Sequence, residues 1–362
     1  MDTAHKGSLR PGVVYGRDYR ELISRCKSEG YALPAVNVVG TNSINAALEA
    51  AAASASDVVI QLSHGGARFF GGEGLPTDRA AVAGAVSAAR HVHEVASSYG
   101  ICVVLHTDHA QRALVPWVET LIGYSEQHYQ AHRRPLFSSH MLDLSEESLD
   151  SNLAECERML QRLTPLEMGL EIELGVTGGE EDGVGSENLE EADSSHLYTR
   201  AEDVLRAYDA LTPVGSFSVA AAFGNVHGVY SPGNVVLRPE ILEASQKLVQ
   251  QERKTVSKPM NFVFHGGSGS SQDEISRAVS YGVVKMNIDT DTQFAFAQGV
   301  GKYVNDNPSA FQAQIDEKTG KPNKKRYDPR KWLRVGEQGM VARLKTAFSD
   351  LNAVGKSLAR RT

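Results

Sequence analysis

Short apolar runs alternate with amphipathic stretches along most of the chain. The runs predict strands at 34–39, 58–63, 103–108, 136–144, 168–175, 217–224, 260–266 and 283–289. The segments between them, such as SINAALEAAAASA and ESLDSNLAECERMLQRL, carry apolar residues at helical spacing. About eight strand–helix units predict an α/β fold, a closed (β/α)8 TIM barrel, with an open doubly wound sheet as the alternative.

No low-complexity linker divides the chain, so we expect a single TIM-barrel domain over 1–362. Two segments have the composition of loop insertions, near 177–195 and near 306–332. The first is rich in glycine and acidic residues. The polar part of the second, from 316 to 332, is typical of a solvated loop.

Charge and cysteine content narrow the class of protein. A formal charge of -7 without a long basic block argues against nucleic-acid or anionic-membrane partners. Cys26, Cys102 and Cys156 are odd in number and lack a CxxC spacing, which argues against a disulfide framework and suits a reducing compartment. No signal-peptide pattern and no apolar run near the roughly 20 residues of a membrane span is present. We therefore expect a cytoplasmic protein.

Chemically active side chains recur at or just beyond the predicted strand ends. In a barrel these carboxyl ends share one rim, where catalytic residues lie. The side chains at these positions are Asn37, Ser63, Asp108, His109, Asp143, Glu173, His227, His265, Asn287 and Asp289. Their shared position predicts one site.

Three histidines on separate strands indicate a zinc site. His109, His227 and His265 would supply three protein ligands and leave one position open for substrate, as in catalytic zinc centres. Any one of these histidines alone is better explained as a hydrogen-bonded core residue, and only their joint placement favours the zinc site. His106 competes with His109 for the first ligand position, and the spacing does not choose between them.

Several carboxylates are candidates for further roles. Asp143 and Glu173 could hold a second or displaced metal, although loop solvation explains them too, and Glu171 shares a strand face with Glu173. The TGGEEDG segment could supply a mobile general base, or be a solvated acidic loop. Asp108 directly precedes a proposed ligand, so its carboxylate could reach a substrate oxygen held by the metal.

Two helix starts could bind an anion. HGGSGSSQDEI (265–275) and NIDTDTQFA (287–295) place Gly, Ser, Thr and Asp where backbone N–H groups favour phosphate. Simple N-capping by Ser271 or Asp291 explains the same residues. Neither segment is a GxxxxGK[ST] loop, which argues against a nucleoside triphosphatase.

Longer motifs resemble a known family. LHTDH, SSHMLDLSEE, TGGEEDGV, AAAFGNVHGVY, LRPEIL, VFHGGSGS and GVVKMNIDTDTQ are similar to motifs of the zinc-dependent class II fructose-bisphosphate aldolases, particularly their longer, dimeric subgroup. The resemblance runs from about residue 13 to the C-terminus. It implies a homodimeric lyase that reversibly cleaves fructose 1,6-bisphosphate to dihydroxyacetone phosphate and glyceraldehyde 3-phosphate in glycolysis and gluconeogenesis.

The resemblance also implies residue roles. His109, rather than His106, joins His227 and His265 as a zinc ligand, and Asp143 and Glu173 match a second metal position. Asp108 matches the acid/base at the fourth-carbon hydroxyl, and Glu181 the one that exchanges a proton at the third carbon. Substrate-binding positions implied by the family are Asn37, Ser63, Gly228, Gly266, Gly267, Ser268, Asn287, Asp289, Thr290 and Arg330.

Within that set, Arg330 resembles an arginine supplied across a dimer interface to the distal phosphate. The family's reaction passes through a zinc-stabilised ene-diolate, and it uses a monovalent cation, so K+ or Na+ activation is expected. Two positions depart from the family: Ala110 stands where Cys is common, and His64 where Ser or Thr is usual. His64 puts fine substrate preference in doubt.

Three alternatives to this function remain. Lys285 shares strand parity with Asn287 and Asp289, so a metal-free Schiff-base aldolase is one. Tagatose 1,6-bisphosphate, which differs from the fructose sugar at one carbon, is a second substrate candidate. The third is a non-catalytic scaffold with a structural zinc, against which Asp108 and Glu181 argue because such a metal needs neither.

Overall fold

The computed structural model describes residues 8–176, 178–181, 184–186, 198–227, 237–267 and 270–360; for 178–181, 184–186 and 226–227 it describes the backbone alone. The strands are β1 (Gly12–Val13), β2 (Leu33–Asn37), β3 (Val58–Leu62), β4 (Cys102–Thr107), β5 (Ser139–Leu142), β6 (Gly169–Leu174), β7 (Gly178–Glu181), β8 (Val184–Ser186), β9 (Phe217–Ala221), β10 (Val226–His227), β11 (Phe262–Phe264) and β12 (Val283–Ile288). The helices are α1 (Gly16–Glu29), α2 (Thr41–Ala53), α3 (His64–Gly71), α4 (Thr77–Val95), α5 (Val115–His132), α6 (Leu149–Leu163), α7 (Ala201–Leu211), α8 (Glu240–Arg253), α9 (Gln272–Ser280), α10 (Thr290–Asp306), α11 (Pro308–Gln312), α12 (Lys324–Tyr327) and α13 (Pro329–Asp350).

Parallel strands close into an eight-stranded barrel in the order β2-β3-β4-β5-β6-β9-β11-β12. The closing pair joins β12 to β2, with Lys285 opposite Leu33 and Ile288 opposite Val36. Strands of this kind are buried on both faces, which explains apolar runs such as VVIQL in β3. The (β/α)8 barrel predicted from the periodicity is confirmed, and the open doubly wound sheet is wrong.

All eight predicted strands overlap a barrel strand, and the two largest differences are strands much shorter than predicted. The run 136–144 forms a strand only over Ser139–Leu142, and 260–266 only over Phe262–Phe264. Before β5, the hydroxyl of Ser138 accepts the backbone N–H of Leu105 and donates to the carbonyl of Val14. The Ser138 hydroxyl therefore accepts the hydrogen bond that a backbone carbonyl would accept in a regular sheet.

The two predicted insertions contain regular structure. In the first, β7 pairs antiparallel with β8, and β10 joins β7 in parallel; residues 177, 182–183 and 187–195 lie outside the described residues. In the second, residues 324–327 and 329–332 are helical, so a solvated loop over all of 316–332 is wrong. Asp328 caps α13 and Pro329 occupies its first position, a known helix-start signature.

The C-terminal segment is fastened to the barrel by a buried carboxylate. Asp57 accepts hydrogen bonds from the backbone N–H groups of Cys102 and Leu358 and from the hydroxyl of Ser357. Burial raises the pKa of Asp57 to about 6, although these hydrogen bonds oppose the change. No helix in the described part of the chain is both long enough and apolar enough to cross a bilayer.

Candidate active site

The carboxyl ends of the barrel strands bring most of the predicted residues to one rim. Asn37 ends β2, Asp108 and His109 follow β4, and His265 follows β11. The remaining members at this rim are Ser63, Asp143, Glu173, Gly266, Gly267, Asn287, Asp289 and Thr290. Gly228 and Ser268 lie outside the described residues.

Two imidazoles and two carboxylates meet at the centre of the rim. His109 Nδ1 lies 3.2 Å from Asp143 Oδ2 and 3.5 Å from Glu173 Oε2. His265 Nδ1 lies 3.7 Å from Glu173 Oε2, and the centroids of the two histidine rings are 4.6 Å apart. Candidate ligand atoms of Asp108, His109 and His265 lie within 4.8 Å of one another. Imidazole nitrogens with carboxylate oxygens are a donor set that fits zinc.

The backbone holds this group in an unusual conformation. His109 has φ 20°, a value that non-glycine residues rarely adopt and that recurs at functional sites. The carbonyl of His265 accepts a hydrogen bond of 2.9 Å from the side-chain amide of Asn225. Because Asn225 stands two residues before His227, it ties the segment carrying His227 to the strand end carrying His265.

His227 and Glu181 are placed by their backbones alone. In β10, His227 pairs with Gly179 of β7, while Glu181 of the same β7 pairs with Val184 of β8. The third predicted zinc ligand is therefore carried on a strand that adjoins the acidic hairpin. The contacts of both side chains lie outside what the structure describes, so their roles stay predictions.

Asp108 is fully buried and is held by three amide groups. Its Oδ2 accepts from Gln61 Nε2 at 2.8 Å and from Asn37 Nδ2 at 3.0 Å, and its Oδ1 from Asn287 Nδ2 at 3.2 Å. These donors from three strands fix the carboxylate beside His109. Gln61 is not among the residues predicted from the sequence, although a single amide inside the buried VVIQL run was a signal for it.

A charged pair lies one layer deeper in the barrel. Lys285 Nζ donates to both carboxylate oxygens of Glu171, at 3.0 and 2.9 Å. The same carboxylate is 2.8 Å from His265 Nε2 and 3.5 Å from His106 Nε2, and His106 Nδ1 is 2.8 Å from the hydroxyl of Ser139. Lys285 is thus a buried, ion-paired ammonium. A Schiff-base nucleophile must be an unprotonated amine, so this pairing argues against that alternative.

Charge decides between two neighbouring metal positions. Ligand atoms of His106, Asp108 and Glu171 also lie within 4.8 Å of one another, which makes them a second candidate group. The Lys285 ammonium already contacts Glu171, however, and would repel a cation bound there. The group around His109 is therefore the better metal position.

The ionisation of these groups suits metal binding. Burial raises the pKa of Asp143, but hydrogen bonds from His109 and Ser145 outweigh it and lower that pKa to about 2. Burial and the neighbouring His109 lower the pKa of His265, which favours the neutral imidazole that a metal requires. Burial also opposes ionisation of Glu171, yet Lys285, His106 and His265 together outweigh it and hold that pKa below its ordinary range.

The predicted phosphate-binding residues follow two neighbouring strands, β11 and β12. Gly266 has φ 60°, a conformation that favours glycine at this strand end. Asp289 stands at the N-cap position of α10, and Thr290 is the first residue of that helix. Backbone N–H groups at a helix start can bind an anion.

The alternative explanation by N-capping holds for one helix. Ser271 caps α9, where its hydroxyl accepts from the backbone of Glu274 and the Glu274 side chain accepts in return from the Ser271 N–H. Asp291 lies inside α10 and pairs with Arg343 at 2.6 Å, so it is not a cap. Ser271 is therefore explained without a ligand.

Ser63 and Arg330 each lie at the start of a helix. Ser63 caps α3, with its hydroxyl accepting the N–H of Gly66, and the ring of His64 packs edge-on against Trp117. Arg330 is in the first turn of α13, and its side chain is 89% exposed. Its guanidinium pairs at 2.6 Å with Asp328, the residue that caps the same helix.

Fold and site together define a (β/α)8-barrel protein with a metal-binding group of histidines and carboxylates at the carboxyl rim. The family model for class-II fructose-bisphosphate aldolases matches residues 17–356. The chain therefore belongs to the class-II fructose-bisphosphate aldolase family, whose members depend on a metal, and the metal-free Schiff-base alternative is wrong.

Individual relatives agree with this assignment. A fructose-bisphosphate aldolase of Campylobacter jejuni is 55% identical over 353 residues, covering 96% of this chain and 98% of the relative. A class 2 fructose-bisphosphate aldolase of Escherichia coli K12 is 51% identical, covering 96% and 97%. The crystal structure of fructose-bisphosphate aldolase from C. jejuni has TM-score 0.87 and 52% identity, covering 96% and 98%. The YdjI aldolase of E. coli K12, at 20% identity and TM-score 0.64, shares the fold.

Proposed function

We propose the following roles for the site in a known reaction. The chain is a lyase that reversibly cleaves fructose 1,6-bisphosphate to dihydroxyacetone phosphate and glyceraldehyde 3-phosphate, a step of glycolysis and, in reverse, of gluconeogenesis. The observation that carries the residue roles is the fully buried Asp108 carboxylate, oriented by three amides beside the His109 group. A structural metal site would need no such carboxylate.

His109, His265 and His227 would hold the metal, which we assign as zinc, and Asp143 with Glu173 would form a second divalent position. Support comes from the distances among the four described side chains. A zinc ion bound there would polarise the ketone of the open-chain sugar and stabilise negative charge as the carbon–carbon bond breaks.

Asp108 accepts the proton of the hydroxyl on the fourth carbon. The bond between the third and fourth carbons then breaks, its electron pair passes to the third carbon, and the fourth carbon leaves as the aldehyde of glyceraldehyde 3-phosphate. Glu181 donates a proton to the third carbon of the resulting ene-diolate to give dihydroxyacetone phosphate. The N–H and hydroxyl groups after β11 and β12 would bind the phosphate of that product, with Gly266, Gly267, Ser268, Asn287, Asp289, Thr290 and Gly228 as the predicted residues.

An aldol cleavage assay with measured metal content tests this assignment. We expect EDTA to abolish cleavage and zinc to restore it. Asp108→Asn should keep its metal and lose activity, while His109→Ala should lose both. Full activity of either variant, or cleavage unaffected by chelator, would refute these residue roles. Adding K+ or Na+ to the zinc enzyme tests the proposed monovalent activation in the same assay.

Substrate preference follows from the relatives. Those at 51–55% identity are named as acting on the fructose sugar, which does not favour the tagatose alternative. The two sugars differ at the fourth carbon, whose hydroxyl would meet Asp108, and Asn37, Ser63 and His64 would lie toward the end of the sugar away from the dihydroxyacetone phosphate. Comparing kcat/KM for fructose and tagatose 1,6-bisphosphate checks the preference, and a higher value for tagatose would overturn it.

The chain would act as a cytoplasmic homodimer of single-domain subunits. Arg330 would extend to a neighbouring subunit and bind the distal phosphate of its substrate, and its exposure at the start of α13 supports this role. The three cysteines are free and buried, as suits a reducing compartment. Mixing inactive Asp108→Ala and Arg330→Ala subunits tests the shared site: random re-pairing in a dimer should return about a quarter of wild-type activity. No gain on mixing would contradict a contribution in trans.

A further inference from the structure

The ion pair of Lys285 and Glu171 lies beneath the metal group formed around His109, and burying this pair costs free energy. The side chains of Lys285 and Glu171 are 7% and 3% exposed, and they meet among apolar residues of the barrel interior, including Val59, Val104 and Val263. Branched apolar side chains ordinarily fill this part of a TIM barrel. Replacing a buried ion pair by apolar residues of similar volume is often neutral or stabilising. Stability alone therefore does not explain why this pair is present.

The pair contacts the metal group through His265. Glu171 Oε1 lies 2.8 Å from His265 Nε2, and an ionised carboxylate only accepts hydrogen bonds, so Nε2 carries the proton. That tautomer gives Nδ1 the lone pair, and Nδ1 is the ring atom that faces Glu173 and the His109 group. Metal-binding histidines are commonly oriented by a carboxylate in this manner.

Lys285 fixes the carboxylate in turn. Its ammonium donates to both oxygens of Glu171, which sets the plane of the carboxylate and so the direction of Oε1 toward His265. It also supplies positive charge in an interior where the ionisable oxygens of Glu171 and Asp108 lie within 4.8 Å of the same histidine nitrogen. Two carboxylates this close repel strongly in a buried site unless a cation offsets them.

We propose that Lys285 and Glu171 are positioning residues for the metal centre, holding His265 in the tautomer and orientation that bind the metal. This rests on the proposed role of His265 as a ligand. Neither residue touches substrate; Lys285 acts through Glu171, and Glu171 acts through His265.

Metal affinity, measured by competition with a chelator, tests the proposal directly. We expect Glu171→Gln and Lys285→Met to bind zinc about 10- to 100-fold more weakly, as is usual when the partner of a metal-binding histidine is lost. Lys285→Arg, which keeps the charge and two donors, should recover most of the affinity. The matched control is Lys302→Met, which removes a lysine from an exposed ion pair with Asp306 and should bind zinc like wild type.

A second measurement separates positioning from simple destabilisation. The difference in Tm between metal-free and zinc-loaded protein reports the affinity, because a ligand stabilises the fold in proportion to the logarithm of its binding constant. Glu171→Gln and Lys285→Met should narrow this difference in Tm if the residues position the ligand. A purely structural defect would instead lower both Tm values equally. Cobalt-substituted protein should show altered d–d bands in Glu171→Gln and a wild-type spectrum in the Lys302 control.

The outcomes distinguish the two proposals. If His265→Ala keeps wild-type zinc affinity, His265 is not a ligand and the proposed site itself fails. If His265→Ala loses zinc while Glu171→Gln and Lys285→Met keep wild-type affinity and an unchanged Tm difference, the site stands and the positioning role is overturned. Should Lys285→Met fail to fold, the Glu171→Gln and Lys285→Arg measurements decide by themselves.

Discussion

Close packing of α3 against α4 leads to a sharp prediction for Gly84. A Cβ at Gly84 would lie 2.6 Å from the backbone N of Gly71 and closer still to the carbonyl oxygen of Ala67. Ordinary contact begins at 3.4 Å, and both neighbours are backbone, so in Gly84→Ala the helices must separate by about 1.5 Å. Overpacking costs about 1–3 kcal/mol, and here the upper end applies because no side chain can swing aside.

Helix propensity recovers about 1 kcal/mol of that cost, which leaves roughly 2 kcal/mol of net destabilisation. An unfolding entropy of about 2 cal/mol/K per residue converts this to a Tm lowered by roughly 3 °C for a chain of this length. The N-cap of the displaced α3 is Ser63, a predicted substrate residue, so we also expect KM to rise more than kcat falls.

The matched control is Gly123→Ala in α5, where a Cβ would meet nothing within 4 Å. There the same substitution should raise stability by about 0.5–1 kcal/mol through propensity alone. Thermal unfolding and steady-state kinetics of both variants check the pair. Equal Tm changes in Gly84→Ala and Gly123→Ala would refute the argument from close backbone contact.

Three further predictions concern other parts of the molecule. Burial raises the pKa of Asp57 from 3.8 to about 6, so the folded protein binds this proton more tightly than the unfolded chain does. This group should therefore add about 2 kcal/mol to the free energy of unfolding as pH falls from 6 to 4. Metal-free Asp57→Asn should lack that gain, and parallel pH profiles of the two proteins would contradict the argument. Gln61→Met removes one amide donor to Asp108, worth about 1.5–3 kcal/mol, so kcat/KM should fall about 10- to 100-fold at unchanged metal content. Ser271→Ala removes only a helix cap, so stability should drop by about 1 kcal/mol while KM for the sugar stays constant; a raised KM would indicate a phosphate contact.

The fold was predictable because most barrel strands are buried, largely apolar runs with polar residues at their ends. Strand ends were less predictable where a side chain enters the backbone ladder, as the Ser138 hydroxyl does before β5. The helix at 329–350 begins with Asp328 and Pro329, a signature present in the sequence but hidden by the lysine-rich segment before it. Local composition therefore predicted a loop where capping chemistry starts a helix.

The sequence predicted which residues gather at the rim of the barrel, but it did not predict how far below the rim each side chain lies. Two residues apart on a strand, side chains point to the same face yet stand nearly 7 Å apart along it. Glu171 and Glu173 therefore look equivalent in sequence. The structure separates them: Glu173 lies beside His109, whereas Glu171 lies beside Lys285, 114 residues away in the chain.

The different depths of these side chains indicate that the barrel interior is arranged in layers. Val59, Val104 and Val263 each stand two residues before a polar side chain that points to the same face, respectively Gln61, His106 and His265. These valines thus form an apolar layer that supports a layer of charged and amide side chains. The second layer in turn supports the groups that would meet metal and substrate. Because the charged layer is sealed from water by both neighbours, its electrostatic effect on the rim is stronger than a surface ion pair could exert. Substitutions of Lys285 or Glu171 in that middle layer should therefore alter metal affinity without any contact to the metal, and substitutions of the valines in the apolar layer should alter stability first.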